Sequence, residues 1–139
     1  MKQHAPHPFY IRALALCAAL LLLYTALWAI LPRRQYAQYC AALPAGADHI
    51  EIEAPGFFSF HGVIRMYASD YAALEIRPRL LGGTSVYVLF AGLQQEYCIP
   101  VDRELIPLEA TNEECEILLD ENRPVLLEYL AQAGQLWGF

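Results

Sequence analysis

The sequence predicts an α+β protein: one N-terminal transmembrane helix followed by a small domain with an antiparallel sheet of about five strands and a C-terminal helical pair. Three observations predict it. Of the 23 residues from Phe9 to Leu31, 21 are apolar, whereas the other 116 are half apolar, the ordinary share for a soluble domain. From Asp48 the hydrophobic period becomes two, and from Thr111 it lengthens to that of a helix. This composition excludes a disordered chain, a fibrous repeat and a polytopic membrane protein. The chain divides into a short N-terminal tail (1–12), a transmembrane helix (13–31), a juxtamembrane helix and hinge (32–47) and a soluble α+β domain (48–139).

From Ala13 to Leu31 the only residue outside the apolar set is Thr25, and no charge interrupts the run. At about 1.5 Å of rise per residue this stretch reaches roughly 28 Å, one bilayer crossing. Ala and Leu dominate it, and a helix is the only open segment that satisfies its own backbone in lipid. Thr25 can return its hydroxyl to a carbonyl one turn back. Tyr10 and Arg12 sit at one membrane interface, Trp28, Arg33 and Arg34 at the other. The competing reading is a cleaved signal peptide, but the apolar core is too long and Leu27-Trp28-Ala29 is a poor cleavage site. Ala37-Gln38-Tyr39-Cys40 lacks the features of a lipoprotein signal, and His7-Pro8-Phe9-Tyr10 those of a pilin.

Positive charge is evenly split, Lys2 and Arg12 before the span and Arg33 and Arg34 after it. The amino terminus adds one charge to the first side, so the expected topology keeps the N-terminus cytoplasmic. The C-terminal domain is then extracytoplasmic, on a cell membrane crossed once. From Asp48 onward only five arginines oppose all fifteen carboxylates. So acidic a surface repels phosphate backbones, and no nucleic-acid partner is expected. The expected partners are the lipid bilayer, through residues 13–31, and a protein of unspecified identity.

Of four cysteines, Cys17 lies in the span, leaving Cys40, Cys98 and Cys115. Cys98 with Cys115 is a possible disulfide, closing a loop worth about 3 kcal/mol in an oxidising space. Buried free thiols are the equal alternative. No C-x-x-C pair or zinc-like Cys/His spacing occurs, so no metal and no cofactor is expected.

In the outer part, Tyr36, Tyr39, Cys40 and Leu43 have helical spacing, and Pro32 suits either a kink or a restart. Pro44-Ala45-Gly46-Ala47 is the hinge. His49 to Glu53 alternates, with Ile50 and Ile52 inward. Pro55-Gly56 turns the chain, a strand restarts after His61-Gly62, and Ser69-Asp70 turns it again. Leu74 to Arg77 alternates up to Pro78, and Leu81-Gly82-Gly83 is a further turn. Ser85 to Phe90 is apolar on both faces and is expected to be central. Ala91 to Gln95 connects to a strand whose Tyr97, Ile99 and Val101 share a face, while Pro100 marks an edge or a strand end. Short connections make sequence neighbours antiparallel neighbours. Thr111 to Glu114 has the form of a capping box, Asn122-Arg123-Pro124 is expected to restart the helix, and Gly134 to close it. Leu136, Trp137 and Phe139 are expected to fold back on the core.

Few residues suggest chemistry. Ser59 near His61 and Ser69 beside Asp70 lack a nucleophile-elbow context. The acidic group at 113–121 lacks the alternating loop that wraps calcium. Phe57, Phe58 and Phe60 stand out, because three aromatics within four residues cannot all point inward; they are candidates for contact with a partner or the membrane. The expected function is a non-catalytic interaction or accessory subunit, with no catalytic residues, at a bacterial-type envelope. The alternative is a membrane-tethered enzyme or a ligand- or metal-binding domain, using His49 and His61 with carboxylates such as Glu51 and Glu53. A third possibility is that the anchor carries the function, packing through Cys17, Ala18 and Ala19.

Overall fold

A run of apolar side chains favours helix in lipid, and in the computed structural model helix α1 spans Pro8–Ala41, 34 residues and roughly 51 Å. The structure describes residues 8–59, 61–79, 82–92 and 94–139. Most of the N-terminal tail, Phe60 of the aromatic group, Leu81 of one turn and Leu93 of another lie outside the described residues. The short helix expected after Pro32 is the C-terminal part of α1, which runs on through Pro32. Thr25 Oγ1 donates to the Leu21 carbonyl at 2.8 Å, one turn back. The helix is long and apolar enough to cross a membrane, and its apolar window is not buried against the rest of the protein. Pro32, by contrast, is fully buried, and Tyr39 and Leu43 pack against the domain core.

Alternating sequences build a five-stranded antiparallel meander in the order β1 to β5: β1 Ile50–Glu53, β2 Val63–Tyr67, β3 Ala72–Pro78, β4 Thr84–Phe90 and β5 Tyr97–Val101. Register aligns the apolar positions in rows. Ile50, Met66, Leu74, Val88 and Ile99 form one, Ile52, Ile64, Ile76, Val86 and Val101 the next. A slip of one residue on any strand would turn its contribution to the opposite face. The strand expected to be central, from Ser85, is β4 and lies one place off the middle. β3 holds the centre and is buried on both faces. Pro100 sits on the edge strand β5, where Leu108 N–H still reaches its carbonyl.

The core face is covered by one helix, α2, Glu113–Trp137, not by the expected pair. Pro124 lies within it. Proline usually breaks a helix by removing one amide and crowding a carbonyl. Here Cys115, Leu119, Leu126 and Ala133 are all buried on the sheet, and this shared stripe on both sides of Pro124 outweighs the local defect. Two ends also differ from expectation. The N-cap is Asn112, not Thr111: its side chain accepts from Cys115 N at 2.8 Å, while Glu114 bonds the Tyr97 hydroxyl instead. The C-cap is Gly138 in the left-handed region, so the helix passes through Gly134 and takes in Leu136 and Trp137, which with Phe139 pack on the core.

The β5–α2 connection holds Leu105 at φ 59°, an unusual conformation for a side chain that is fully buried. Asp102 Oδ1 accepts from Glu104 N and Ile106 N, and Arg123 donates to the carbonyls of Glu104 and Leu105. Side-chain bonds thus hold the strained turn in place.

Gly62 leads into β2 against the end of β1: a Cβ there would lie 2.9 Å from the Glu53 carbonyl oxygen. Gly62→Ala should therefore lower stability by about 1–3 kcal/mol. Thermal unfolding of the full chain in detergent checks this, and an unchanged midpoint would refute the close approach.

Candidate functional site

The alternation that buries one face of the sheet places Glu51, Glu53, Arg65, Tyr67, Glu75, Arg77, Tyr87 and Cys98 on the other, which no helix covers. Register makes a charge ladder of them. Glu51, Arg65, Glu75 and Tyr87 lie side by side across β1 to β4. Glu75 is the centre. It is 2% exposed, and each of its oxygens meets a different guanidinium: Oε2 takes Arg65 Nε at 2.8 Å, and Oε1 takes Arg77 Nε at 2.5 Å. Arg65 reaches on to Glu53 at 3.0 Å, and the Arg77 guanidinium lies 4.3 Å over the Tyr87 ring. Tyr67 donates its hydroxyl to Glu51 at 2.7 Å.

Glu53, Arg65, Glu75 and Arg77 thus form one connected network of ion pairs, and Glu51 takes the Tyr67 hydroxyl beside it. The hydrogen bond to Glu75 holds the Arg65 guanidinium above its ordinary value. For Arg77 burial is the largest influence and acts downward, but the bond to Glu75 and the surrounding negative charge outweigh it and the net direction is up. Burial raises the Cys98 thiol despite Arg77, so the neutral thiol, a poor nucleophile, is favoured at neutral pH. The surface therefore presents planar guanidinium and phenol groups held in fixed orientations, a set suited to recognition.

The aromatic group of 57–60 meets α1. The Phe57 ring packs edge-on to Tyr24 at 5.2 Å between centroids and lies 5.4 Å from Trp28. Tyr24 donates its hydroxyl to the Phe57 carbonyl, and Trp28 Nε1 donates to the Gly56 carbonyl at 3.0 Å. Phe58 is 91% exposed. At the two ends of the apolar run, Arg33 lies 5.0 Å over the Trp28 ring, and Tyr10 is exposed with Phe9 edge-on to it. Arg12 and Arg34 are exposed on α1. Further out, Trp137 Nε1 donates to the Tyr39 carbonyl at 3.1 Å, and Tyr39 meets the rings of Trp137 and Phe139.

The two histidines do not come together. His49 pairs its carbonyl with Tyr67 N at one end of the β1–β2 hairpin, while His61 precedes Val63, the partner of Glu53, at the other. Four strand residues, roughly 13 Å, separate those ends. His49 stacks on Tyr129 and lies 3.4 Å from Gln132 Oε1. Among the described residues no three His, Cys, Asp or Glu side chains converge as metal ligands would. All four cysteines are free thiols, Cys98 exposed and Cys115 buried.

A groove of about 590 Å³ opens between the β4–β5 side and α2, lined by Val86, Val101, Leu108, Leu127, Leu130 and Phe139 among others. Sequence reasoning missed both this groove and the ladder. The alternation of Leu74 to Arg77 already placed Glu75 and Arg77 on one face, but only strand register brings Arg65 to them.

Together these features define a class, an α+β domain carried on a long apolar N-terminal helix. Comparison of the chain with protein-family models, with curated proteins and with solved structures finds no match.

Two outcomes test the ladder. Glu75→Ala leaves two guanidinium groups without their buried partner and should lower stability by about 3 kcal/mol, near the bottom of the range for broken buried pairs because both arginines keep partial access to water. Chemical denaturation measures it, and a loss below about 1 kcal/mol, the level of an exposed pair, would refute the pairing. The second outcome depends on pH. The hydrogen bond to Glu51 raises Tyr67 above the ordinary value of 10.0. A raised folded-state value means the contribution is whole below that pH and lost as pH climbs through the raised value. Wild type should lose more stability than Tyr67→Phe across this alkaline window; parallel pH profiles would remove the bond from the account.

Proposed function

We propose that this chain is a single-pass membrane protein whose small acidic domain is held at the extracytoplasmic face as a non-catalytic interaction or accessory subunit. The observation that carries the reading is α1 itself. Its inner part exposes Leu14, Leu16, Leu20 to Leu23 and Ile30 with no protein cover, while its outer turns bury Pro32 and pack Tyr39 into the domain. An uncovered apolar surface of that extent belongs in lipid, and the same rigid helix then holds the domain beside the bilayer.

The open sheet face is the surface the domain offers to a partner. Arg77 stacked on Tyr87, with Tyr67 and the exposed Cys98 on the same face, combines residue types that anchor protein interfaces. The even balance of positive charge around the span, tipped by the amino terminus, supports the N-terminus-inside orientation.

Cys98 tests both parts. In intact cells a membrane-impermeant maleimide should label Cys98 before lysis, with Cys98→Ser as the control, and Cys115 only after denaturation. Labelling of Cys98 only after lysis would reverse the orientation. A short crosslinker on Cys98 should trap one discrete protein in native membranes, in lower yield for Arg77→Ala. Yields independent of Arg77 would refute this face as the contact.

A further inference from the structure

We infer that the loop Pro55–Ser59 is a second membrane contact, in which Phe58 enters the same leaflet that α1 leaves on its way to the domain. This rests on the reading of α1 as the span. Three observations carry it beyond that reading.

The first is depth. Phe57 packs on Tyr24 and Trp28, and both lie inside the uncharged run that ends at Leu31. At about 1.5 Å per residue, Tyr24 lies roughly 18 Å and Trp28 roughly 24 Å along the helix from Arg12. A hydrocarbon layer of about 30 Å beginning near Arg12 therefore still surrounds α1 at the level where the loop touches it. The domain reaches back down its own anchor to a depth where the surroundings are lipid.

The second is polar bookkeeping within the loop. Hydrocarbon tolerates non-helical backbone only where its polar groups find partners. The Gly56 carbonyl accepts from Trp28 Nε1 at 3.0 Å and from Ser59 N at 3.3 Å, and the Phe57 carbonyl accepts from the Tyr24 hydroxyl. Gly56 N donates to Ser59 Oγ at 3.0 Å. The donors come from the membrane helix and from the loop's own serine, an arrangement that gives these groups partners without needing water.

The third is what remains outside. Phe58 stands edge-on to Phe57, 5.1 Å between centroids, and is 91% exposed, more than any other large apolar side chain among the described residues. It projects from a loop whose neighbour is already seated on the span. Arg33 and Arg34 follow on α1, Arg33 lying over Trp28, at the level where headgroup phosphates meet cations. The occupant of this surface is therefore the bilayer itself, continuous with the lipid around α1.

The test uses the full chain in phosphatidylcholine vesicles, carrying Cys17→Ala, Cys40→Ala and Cys98→Ser, with the buried Cys115 retained. Nitroxides are attached singly through Phe58→Cys, Leu22→Cys on the span and Asp70→Cys, in the turn at the opposite end of the sheet. The reading is accessibility to oxygen, which partitions into lipid, against a water-soluble nickel chelate. Expected is a severalfold higher oxygen-to-nickel ratio at 58 than at 70, with 58 shallower than 22. A water-like ratio at 58 beside a lipid-like ratio at 22 overturns the loop contact while the span stands. Water-like ratios at both overturn the span and the loop together. An immobilised label at 58, closed to both reagents, means a second copy of the chain covers Phe58, and also overturns the inference.

Discussion

One helix facing two different surroundings is the constraint on which the rest of the structure depends. α1 is continuous from Pro8 to Ala41, yet its inner turns are uncovered leucine while its outer turns are part of a protein core. Because a helix is stiff over this length, whatever fixes the inner part fixes the outer part too. The change falls at Pro32-Arg33-Arg34, where a buried proline is followed by two cations. Trp28 joins both sides of that boundary, bonding the Gly56 carbonyl through its indole N–H and taking Arg33 on its ring.

The domain solves a second problem, that of a sheet covered on one face only. Antiparallel sheets tolerate this when the free face is polar. Here the free face also carries a buried carboxylate. Burying Glu75 on the central strand would be costly alone, and two guanidinium groups on separate oxygens offset that cost. Arg65 and Arg77 lay their apolar stems over the sheet while keeping their heads at its surface, which seals the centre of β3 without a second layer of helices. The result is a rigid patterned surface on a domain whose overall charge is strongly negative.

Much of this was legible in the residues. Alternation located β1 and β3 and turned Ile50 and Ile52 inward, a shared face for Tyr97, Ile99 and Val101 located β5, a restart after His61-Gly62 located β2 and an apolar run located β4, and the short connections implied the meander. Pro100, read as marking an edge or a strand end, lies on the edge strand β5. The errors fell where local signals compete with packing. Pro124 and Gly134 are helix breakers by propensity, and both were overridden by an apolar stripe that spans them. Thr111 and Asn112 are both good caps, and the fold uses the second. His49 and His61 looked close because a hairpin joins them, but the register puts them at its opposite ends.

The sequence alone determined the quantities that depend on neighbours along the chain: an apolar run long enough for a bilayer, the strand and helix periods, and the acidic charge of the C-terminal domain. Tertiary structure decided what depends on neighbours in space. That includes the meeting of Arg65 with Glu75, which only the register of β2 against β3 brings about, and the seating of Phe57 on Tyr24, 33 residues away. Periodicity tells which way a side chain faces, but not what it faces, because that is set by how separate segments align when they pack.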